Sequence, residues 1–313
     1  MVRKQNVAQK SKIVTGIFIA LAAAGLFGLL PNLQNFDSAY SAIGNAEPLW
    51  LALGLVATLF GYFAAGGIYV ALSTRRLSVL PSVAVQVAGS FVNRVLPAGI
   101  GAVSVSYRYL RNMGHPAASS AAIVTVNNLL GFIGNIVLLF ALIVVMPAGS
   151  VVLRMPKTPP TGIAALMMIT IFVAVVVLYS KRLMVLQALL SYGKQLQIYR
   201  RHRIRLLVAA CLSLGLTASY ALVVYASAHA VDISISYAGA LFVMSVGVLG
   251  GIVLPTPGGL GAVEGGMVAA FVAAGFASSD ALAATLIFRI FTFWFALVAG
   301  ATMLPVARRK GYI

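Results

Sequence analysis

The chain alternates between long apolar runs and short polar connections. Apolar runs of membrane-spanning length occupy residues 13–30, 49–72, 117–146, 162–179, 206–229 and 281–304. A helix needs roughly 17 to 25 apolar residues to cross the hydrocarbon core of a bilayer. The pattern therefore predicts an all-α polytopic membrane protein with six full spans.

Two further apolar segments, 79–112 and 237–276, are interrupted by proline and glycine. The first contains Pro-Ala-Gly-Ile-Gly at 97–101, and the second contains Pro-Thr-Pro-Gly-Gly-Leu-Gly at 255–261. A helix does not continue through such a run, because proline lacks the N–H group and glycine has the largest backbone entropy to lose. Non-helical backbone is tolerated inside a membrane only where protein buries it or where it lines a wet cavity. Both segments are therefore predicted to be re-entrant helical hairpins.

The two interruptions resemble each other in sequence. Residues 96–104 align with 254–264 when two residues are inserted after the proline of the second segment. The offset of about 160 residues is close to half the chain, which is typical of a duplicated unit. We expect a first membrane repeat at 1–155 and a second, inverted repeat at 156–313. Independent use of glycine and proline in two membrane loops is the alternative explanation.

Composition and charge agree with a membrane location. Hydrophobic residues make up 61% of the chain and charged residues 9%, with a mean hydropathy of +1.01. The formal net charge is +17, and the basic residues gather in the connections between apolar runs. Cytoplasmic loops of membrane proteins carry such an excess. We expect a multi-pass protein of the cell (inner) membrane with both termini in the cytoplasm, and no nucleic-acid partner.

Two segments leave alternatives open. The basic start and the apolar run 13–30 also match the pattern of a cleaved signal peptide, although the run is long enough for an uncleaved span. Between 181 and 205, leucines are interleaved with lysines and arginines. This segment is either an amphipathic helix on the inner leaflet or a solvated loop.

Three ionisable residues lie inside the apolar segments: Arg94, Glu264 and Arg289. Each costs roughly 2.5 to 3.5 kcal/mol at the centre of a membrane helix on insertion scales. Pairing of Glu264 with one arginine is a purely structural explanation for two of them. Because one positive charge is then left without an acidic partner, we expect an anionic headgroup to supply the missing charge.

The helix breaks offer further contacts to such a ligand. Helices that start after the glycines would direct free N–H groups and a positive dipole end at an anion. The candidate ligand-binding residues at and near the breaks are Asn93, Gly99, Gly101, Pro257, Gly259 and Gly261. Asparagines inside a membrane also serve as hydrogen-bonding contacts between helices, which is the alternative role for Asn93.

Other kinds of site find no support in the sequence. Gly259-Leu260-Gly261 has Glu264 where a dinucleotide-binding loop needs its third glycine, and no strand precedes it. The histidines have no partner at metal-ligand spacing, and the single Cys211 is expected to be a small buried hydrophobe. No paired carboxylates or nucleophile motif occur. We therefore expect no cofactor, no metal and no enzymatic activity.

The motifs at 93–101 and 255–264 resemble those of the flippase-like family, which includes the transmembrane region of lysylphosphatidylglycerol synthases. The resemblance extends over nearly the whole chain. By this resemblance, Arg94, Arg108 and Glu264 match charged positions of the family pattern. The chain ends at Ile313, just after the last span, so we expect a stand-alone member without the soluble aminoacyl-transfer domain.

The resemblance implies a protein that moves an anionic or modified lipid between leaflets. Family members have been linked to aminoacylated phosphatidylglycerol, hopanoids, and polyisoprenyl or glycolipid carriers. The expected ligand is therefore an anionic membrane lipid, and a lipid-synthesis enzyme is a possible partner. Two other functions remain open: secondary transport of a small soluble anion, and a non-transporting scaffold for a lipid-modifying enzyme.

Overall fold

The computed structural model describes residues 36–96, 100–145, 203–253 and 256–313. These residues form helices and turns, and no strand occurs among them. The helices are α1 (Phe36–Gly44), α2 (Pro48–Leu72), α3 (Val79–Val95), α4 (Ile100–Asn112), α5 (Ala117–Val145), α6 (Arg203–His229), α7 (Tyr237–Val253), α8 (Ala262–Ala273), α9 (Ser278–Arg289) and α10 (Phe295–Arg309). The predicted all-helical class is confirmed for this part of the chain.

Four helical segments in the described ranges are long and apolar enough to cross a membrane. They are Pro48–Leu72, Ala117–Asn135, Arg203–His229 and Ser278–Arg309. The last one joins α9 and α10 through a single π turn at Ile290–Trp294. The protein is therefore a multi-pass membrane protein. The predicted spans at 13–30 and 162–179 lie outside the described residues, as do most of the basic segment 181–205 and the signal-peptide alternative.

Each predicted hairpin consists of two shorter helices packed against each other. Helix α3 packs on α4 in the first, and α7 packs on α8 in the second. A 3₁₀ turn at Pro257–Gly259 precedes α8. The breaks therefore occur where proline and glycine predict them, although 97–99 and 254–255 themselves are not described.

The order of helix lengths is the same in the first and the second half of the chain. Helices α2 to α5 contain 25, 17, 13 and 29 residues. The segments α6, α7, α8 and 278–309 contain 27, 17, 12 and 32 residues. A long helix, two short helices and another long helix thus occur twice in succession.

Small residues allow the central helices to approach closely, as is common in membranes. A side chain at Gly61 of α2 would meet Ser219 Oγ of α6 at 3.0 Å, and the contact between these two long helices is the most extensive in the structure. A Cβ at Gly300 of α10 would lie 2.7 Å from the Val87 carbonyl oxygen of α3. The first half of the chain therefore packs directly against the second at two helix pairs.

The helices end at two opposite ends of the protein, one rich in basic residues and one in acidic residues. At the basic end, Arg205 donates to the Ser73 carbonyl at 3.0 Å, and Asn112 donates to the Gly311 carbonyl at 3.3 Å. At the acidic end, Glu47 N–H donates to the Ala230 carbonyl at 3.0 Å. Connections that the charge pattern predicts on one side of the membrane are therefore neighbours in space.

A buried histidine joins the connection after α2 to the connection after α4 at the basic end. His115 Nε2 lies 2.8 Å from Ser73 Oγ, and its Nδ1 lies 3.1 Å from the Leu110 carbonyl oxygen. Arg111 donates to the His115 carbonyl at 2.9 Å. Burial and the nearby charge of Arg75 lower the pKa of His115, while the Leu110 carbonyl opposes this shift. The imidazole is therefore held mainly in its neutral form near pH 7.

Two features differ from the sequence expectation. The connection before α2, which the charge pattern predicts to face outward, contains a nine-residue helix, α1, which packs against α9. Cys211 on α6 is exposed on the protein surface rather than buried. Its apolar neighbours indicate a membrane span, but a span has a lipid-facing side on which a small apolar residue is equally stable.

Candidate functional site

The second helix break forms a tight turn built from glycines. Gly258, Gly259 and Gly261 have φ angles of +59°, +71° and +79°, in the left-handed region that other residues rarely adopt. Thr256 Oγ1 donates to the Leu260 carbonyl at 2.8 Å and closes the turn. The turn presents the Gly258 carbonyl oxygen toward the last helical segment.

Arg289 binds both this turn and the helix that follows it. Its Nε lies 2.7 Å from Glu264 Oε1, and its second terminal nitrogen donates to the Gly258 carbonyl at 2.9 Å. The guanidinium carbon lies 4.8 Å from the centre of the Phe293 ring, within the range of a cation–π contact. Arg289 and Glu264 are only 6% and 5% exposed. Arg289 of α9 therefore binds α8 through a buried ion pair and the turn before it through a hydrogen bond.

Arg94 reaches the same place from the first helix break. It lies in the last turn of α3 and donates to the Thr292 carbonyl oxygen. Thr292 belongs to the π turn, and such turns interrupt the usual helical hydrogen-bond pattern, frequently at functional sites. A Cβ at Gly258 would lie 3.2 Å from Arg94 Cγ. Arg94 and Arg289 thus both lie next to Gly258.

The charges at this site do not balance. Arg94 and Arg289 repel each other electrostatically, and Glu264 is the one carboxylate that pairs with either of them in the described residues. Glu264 Oε2 and Arg94 Nε are buried, and neither atom has a hydrogen-bond partner among the residues that the structure describes. The cluster therefore carries a net positive charge, together with unused donors and acceptors.

A cavity of about 160 Å³ lies beside Arg94. Helices α2, α3, α4 and α6 and the π turn surround it, and Asn93 and Arg94 form part of its wall. Tyr62 of α2 also lines it, about 21 Å along the axis from Pro48 and about 15 Å from Leu72 at 1.5 Å per residue. The cavity is therefore near the middle of a spanning helix.

One protein family matches nearly the whole chain. This family is the lysylphosphatidylglycerol synthase TM region, and the match extends over residues 13–300. The chain belongs to this family. No curated protein matches the chain. Membership gives the protein a membrane lipid-related role and confirms the resemblance found from the sequence.

In this member of the lysylphosphatidylglycerol synthase TM family, several predicted site residues lie together. Arg94, Glu264 and Arg289 form the charged cluster, and Asn93 lines the adjacent cavity. The predicted turn residues Pro257, Gly259 and Gly261 shape the turn at Gly258.

The remaining predicted residues stand apart from the cluster or outside the description. Gly101 is buried at the start of α4, where a Cβ would lie 2.5 Å from the Val92 carbonyl group. Its role there is close packing of α4 on α3. Arg108 is exposed, about 12 Å along α4 from Ile100. Gly99 lies outside the described residues.

Three contributors were not predicted: Gly258, Thr292 and Phe293. Thr292 acts through its backbone carbonyl and Phe293 through its ring face, in a helix without proline or glycine near the π turn. No sequence pattern marks such a turn. Gly258 could have been predicted, because it lies within the glycine run that the sequence singles out.

Proposed function

We propose that this protein moves a phosphate-bearing lipid between the two leaflets of the cell membrane. In this proposal, the headgroup binds between Arg94 and Arg289, at the level of the two helix breaks. The lipid is a phospholipid, a hopanoid-type lipid, or a polyisoprenyl or glycolipid carrier. The protein acts as a carrier without catalysing a reaction, and net movement follows a gradient or the consumption of the lipid.

The observation that carries the proposal is the charge imbalance around Gly258. Arg289 and Glu264 are buried and form an ion pair, and the partly buried Arg94 beside them has no counterion from the described residues. An uncompensated charge is unfavourable inside a membrane. A phosphate group would neutralise it, and arginine offers a planar fork that suits phosphate oxygens.

The arrangement of the helices supports alternating access. The long helices α2 and α6, which hold equivalent places in the two halves, pack against each other, and α3 packs on α10. We propose that the halves are inverted repeats and that the broken hairpins enter from opposite faces, as in many secondary transporters. The basic end, at 73–78, 111–116, 203–205 and 308–313, then faces the cytoplasm.

The direct test is a lipid-flipping assay with purified protein in liposomes. The liposomes contain a trace of fluorescent phosphatidylglycerol, and dithionite quenches only the label in the outer leaflet. Wild-type protein should make the inner-leaflet label accessible. Arg94→Gln should slow this process by about tenfold or more, because a charge-assisted hydrogen bond is lost.

The matched control is Arg76→Gln, which removes an exposed arginine just beyond α2. It should flip lipid at the wild-type rate. If wild-type liposomes quench no further than empty ones, or if Arg94→Gln is as active as Arg76→Gln, the proposed function is wrong. A variant that flips slowly but unfolds at the wild-type temperature supports a binding role for Arg94.

A further inference from the structure

A row of polar side chains lies between α3 and α4 and leads from the cavity toward the basic end. Gln86 of α3 lines the cavity and donates to Ser106 Oγ of α4 at 3.3 Å. One turn closer to the basic end, Ser82 Oγ of α3 lies 2.9 Å from the Tyr109 hydroxyl oxygen of α4. We call these four residues the polar seam. Their groups can exchange the hydrogen bonds between the two helices for bonds to water or to a ligand, which apolar side chains cannot do.

The segment 311–313 covers the polar seam at the basic end. The Tyr312 ring packs edge-on against the Tyr109 ring, with ring centres 6.3 Å apart. Asn112, also on α4, donates to the Gly311 carbonyl at 3.3 Å. Tyr312 packs in addition against the buried cluster to which Tyr109 belongs. The segment follows α10 in the second half of the chain, whereas α3 and α4 belong to the first half, so this contact joins the two halves.

The end of α10 fixes the direction of this segment. Gly311 has a φ angle of +68°, and its N–H donates to the Arg308 carbonyl at 3.0 Å. Tyr312 N–H donates to the Ala307 carbonyl at 2.9 Å. These two bonds form a Schellman motif, a common way to end a helix. Because Tyr312 is held to α10 in this way, its contact with α4 must break when α4 moves away from α10.

Helix α4 is packed closely at its start and held less firmly at its end. A Cβ at Gly101 would lie 2.5 Å from the Val92 carbonyl group, so the backbones of α3 and α4 touch at the break. Ala102, the next residue, lines the cavity. Tyr109 lies about 10 Å further along α4 at 1.5 Å per residue. The hydrogen bond from α4 to segment 311–313 is solvent-exposed, and such a bond shifts an equilibrium by about tenfold at most. Helix α4 can therefore swing about its start.

The geometry points to a gate at the basic end: segment 311–313 closes the polar seam, and separation of Tyr312 from Tyr109 opens a passage between α3 and α4 from the cavity to that face. This inference deepens the proposed function, because it names how the same site becomes accessible from one side of the membrane. The hydrogen bonds across the seam are formed in the structure, so the passage is closed.

Thiol labelling measures opening of the gate without any lipid. Ala65 of α2 lines the cavity and lies outside the seam and the segment, so Ala65→Cys in a Cys211→Ser background reports access to the cavity. The reagent is the impermeant anion sulfonatoethyl methanethiosulfonate, applied to membrane vesicles of both orientations. Thr74→Cys, at an exposed position of the basic end, identifies the vesicles that present this face. Tyr312→Ala should raise the rate of labelling from the basic end by about tenfold, because an aromatic pair is lost.

Two controls accompany this measurement. Tyr40→Ala makes the same change at a tyrosine of α1 that is 80% exposed, and it should leave the labelling rate unchanged. Equal rates in Tyr312→Ala and Tyr40→Ala, or an equal rise from the acidic end, would overturn the inference. Ala228→Cys reports unfolding, because Ala228 is fully buried near the acidic end. Its labelling in Tyr312→Ala would show that the contact only supports the fold, and this result would also overturn the inference.

A bridge across the closed contact tests the gate in the flipping assay. Asn112→Cys and Tyr312→Cys are combined in the Cys211→Ser background and joined by a short bismaleimide. The bridged protein should flip fluorescent phosphatidylglycerol at least about tenfold more slowly than the same variant before bridging, because α4 can no longer move. Each single-cysteine variant, treated in the same way, should keep its rate. Equal rates before and after bridging would overturn the gate.

The two experiments separate the gate from the proposed function. If wild-type protein flips no lipid, but Tyr312→Ala still speeds the labelling of Ala65→Cys from the basic end alone, the proposed function fails and the gate is supported. If wild-type protein flips lipid and Tyr312→Ala leaves the labelling rate unchanged, the gate fails and the proposed function is supported.

Discussion

Glu264 and Arg289 form an ion pair with little access to solvent. The pair also positions the guanidinium group, because Arg289 donates to the Gly258 carbonyl and lies over the Phe293 ring. Removing one partner of a buried pair is far more destabilising than removing both, since a single charge is then left buried. The guanidinium therefore depends on Glu264 to remain in place.

Replacement of the Glu264 carboxylate should show that Arg289 depends on it. Glu264→Gln is expected to lower the free energy of unfolding by about 3 kcal/mol, because Arg289 becomes a buried cation without a counterion. Fluorescence-detected thermal unfolding in detergent measures the change. The double variant Glu264→Gln, Arg289→Gln should recover part of the loss. Glu47→Gln, the same change at an exposed glutamate, should leave the unfolding temperature unchanged.

At the scale of single residues, the charged residues of the site could be predicted from the sequence, but the groups that they contact could not. Ionisable residues inside apolar runs are rare and costly, so Arg94, Glu264 and Arg289 stand out in the sequence. Thr292 and Phe293 take part through a backbone carbonyl and a ring face. Neither group differs from its counterparts elsewhere in an apolar helix until the fold brings an arginine to it.

At the scale of elements, the turn before α8 holds the site together. Gly258 has a left-handed conformation, and its position against Phe293 and Arg94 leaves no space for a side chain. Its carbonyl oxygen accepts the hydrogen bond from Arg289. One residue thus joins the second helix break to both arginines.

A methyl group at this position should disturb the turn. Gly258→Ala is expected to cost about 1–2 kcal/mol through the left-handed backbone alone, with a further loss from overlap with the Phe293 ring. Gly265→Ala in α8 is the matched control, because a Cβ there meets no atom within 4 Å. It should be neutral or stabilising by up to about 1 kcal/mol. Equal unfolding temperatures for the two variants would contradict the role of Gly258.

The sequence predicted the elements that proline and glycine delimit, and it missed those without such signals. The bounds of α3, α4, α7 and α8 follow from the breaks at 97–101 and 255–261. The helix α1 has only nine residues, too few for a clear periodic pattern. The π turn after Arg289 lies in an uninterrupted apolar helix, and no proline or glycine within it marks its position.

At the scale of the whole molecule, the inverted arrangement makes a prediction about access. Ile100 and Leu260 lie within the two breaks and are 56% and 41% exposed. If the hairpins enter from opposite faces, a small impermeant thiol reagent should reach Ile100→Cys from the cytoplasmic side and Leu260→Cys from the outer side. The experiment needs a Cys211→Ser background, because the native thiol is exposed.

Two exposed positions calibrate the faces in this experiment. Thr74→Cys marks the basic end and Asn45→Cys marks the acidic end. Labelling of Ile100→Cys together with Asn45→Cys, or of both break positions from one face, would show that the halves are not inverted.

The predicted repeat boundary near 155 and two of the six predicted spans fall in parts of the chain that the structure does not describe, so the span count stays a prediction.

The imbalance of two arginines against one carboxylate has an electrical consequence. In the proposed function, the empty site carries one net positive charge, and a singly charged phosphodiester brings it to zero. Moving one elementary charge across a membrane is worth about 2.3 kcal/mol per 100 mV. A potential that is negative inside the cell would therefore draw the empty site toward the cytoplasm and leave the loaded site unaffected. In the proposed function, the resting voltage would favour the conformation in which the empty site is open to the inner leaflet.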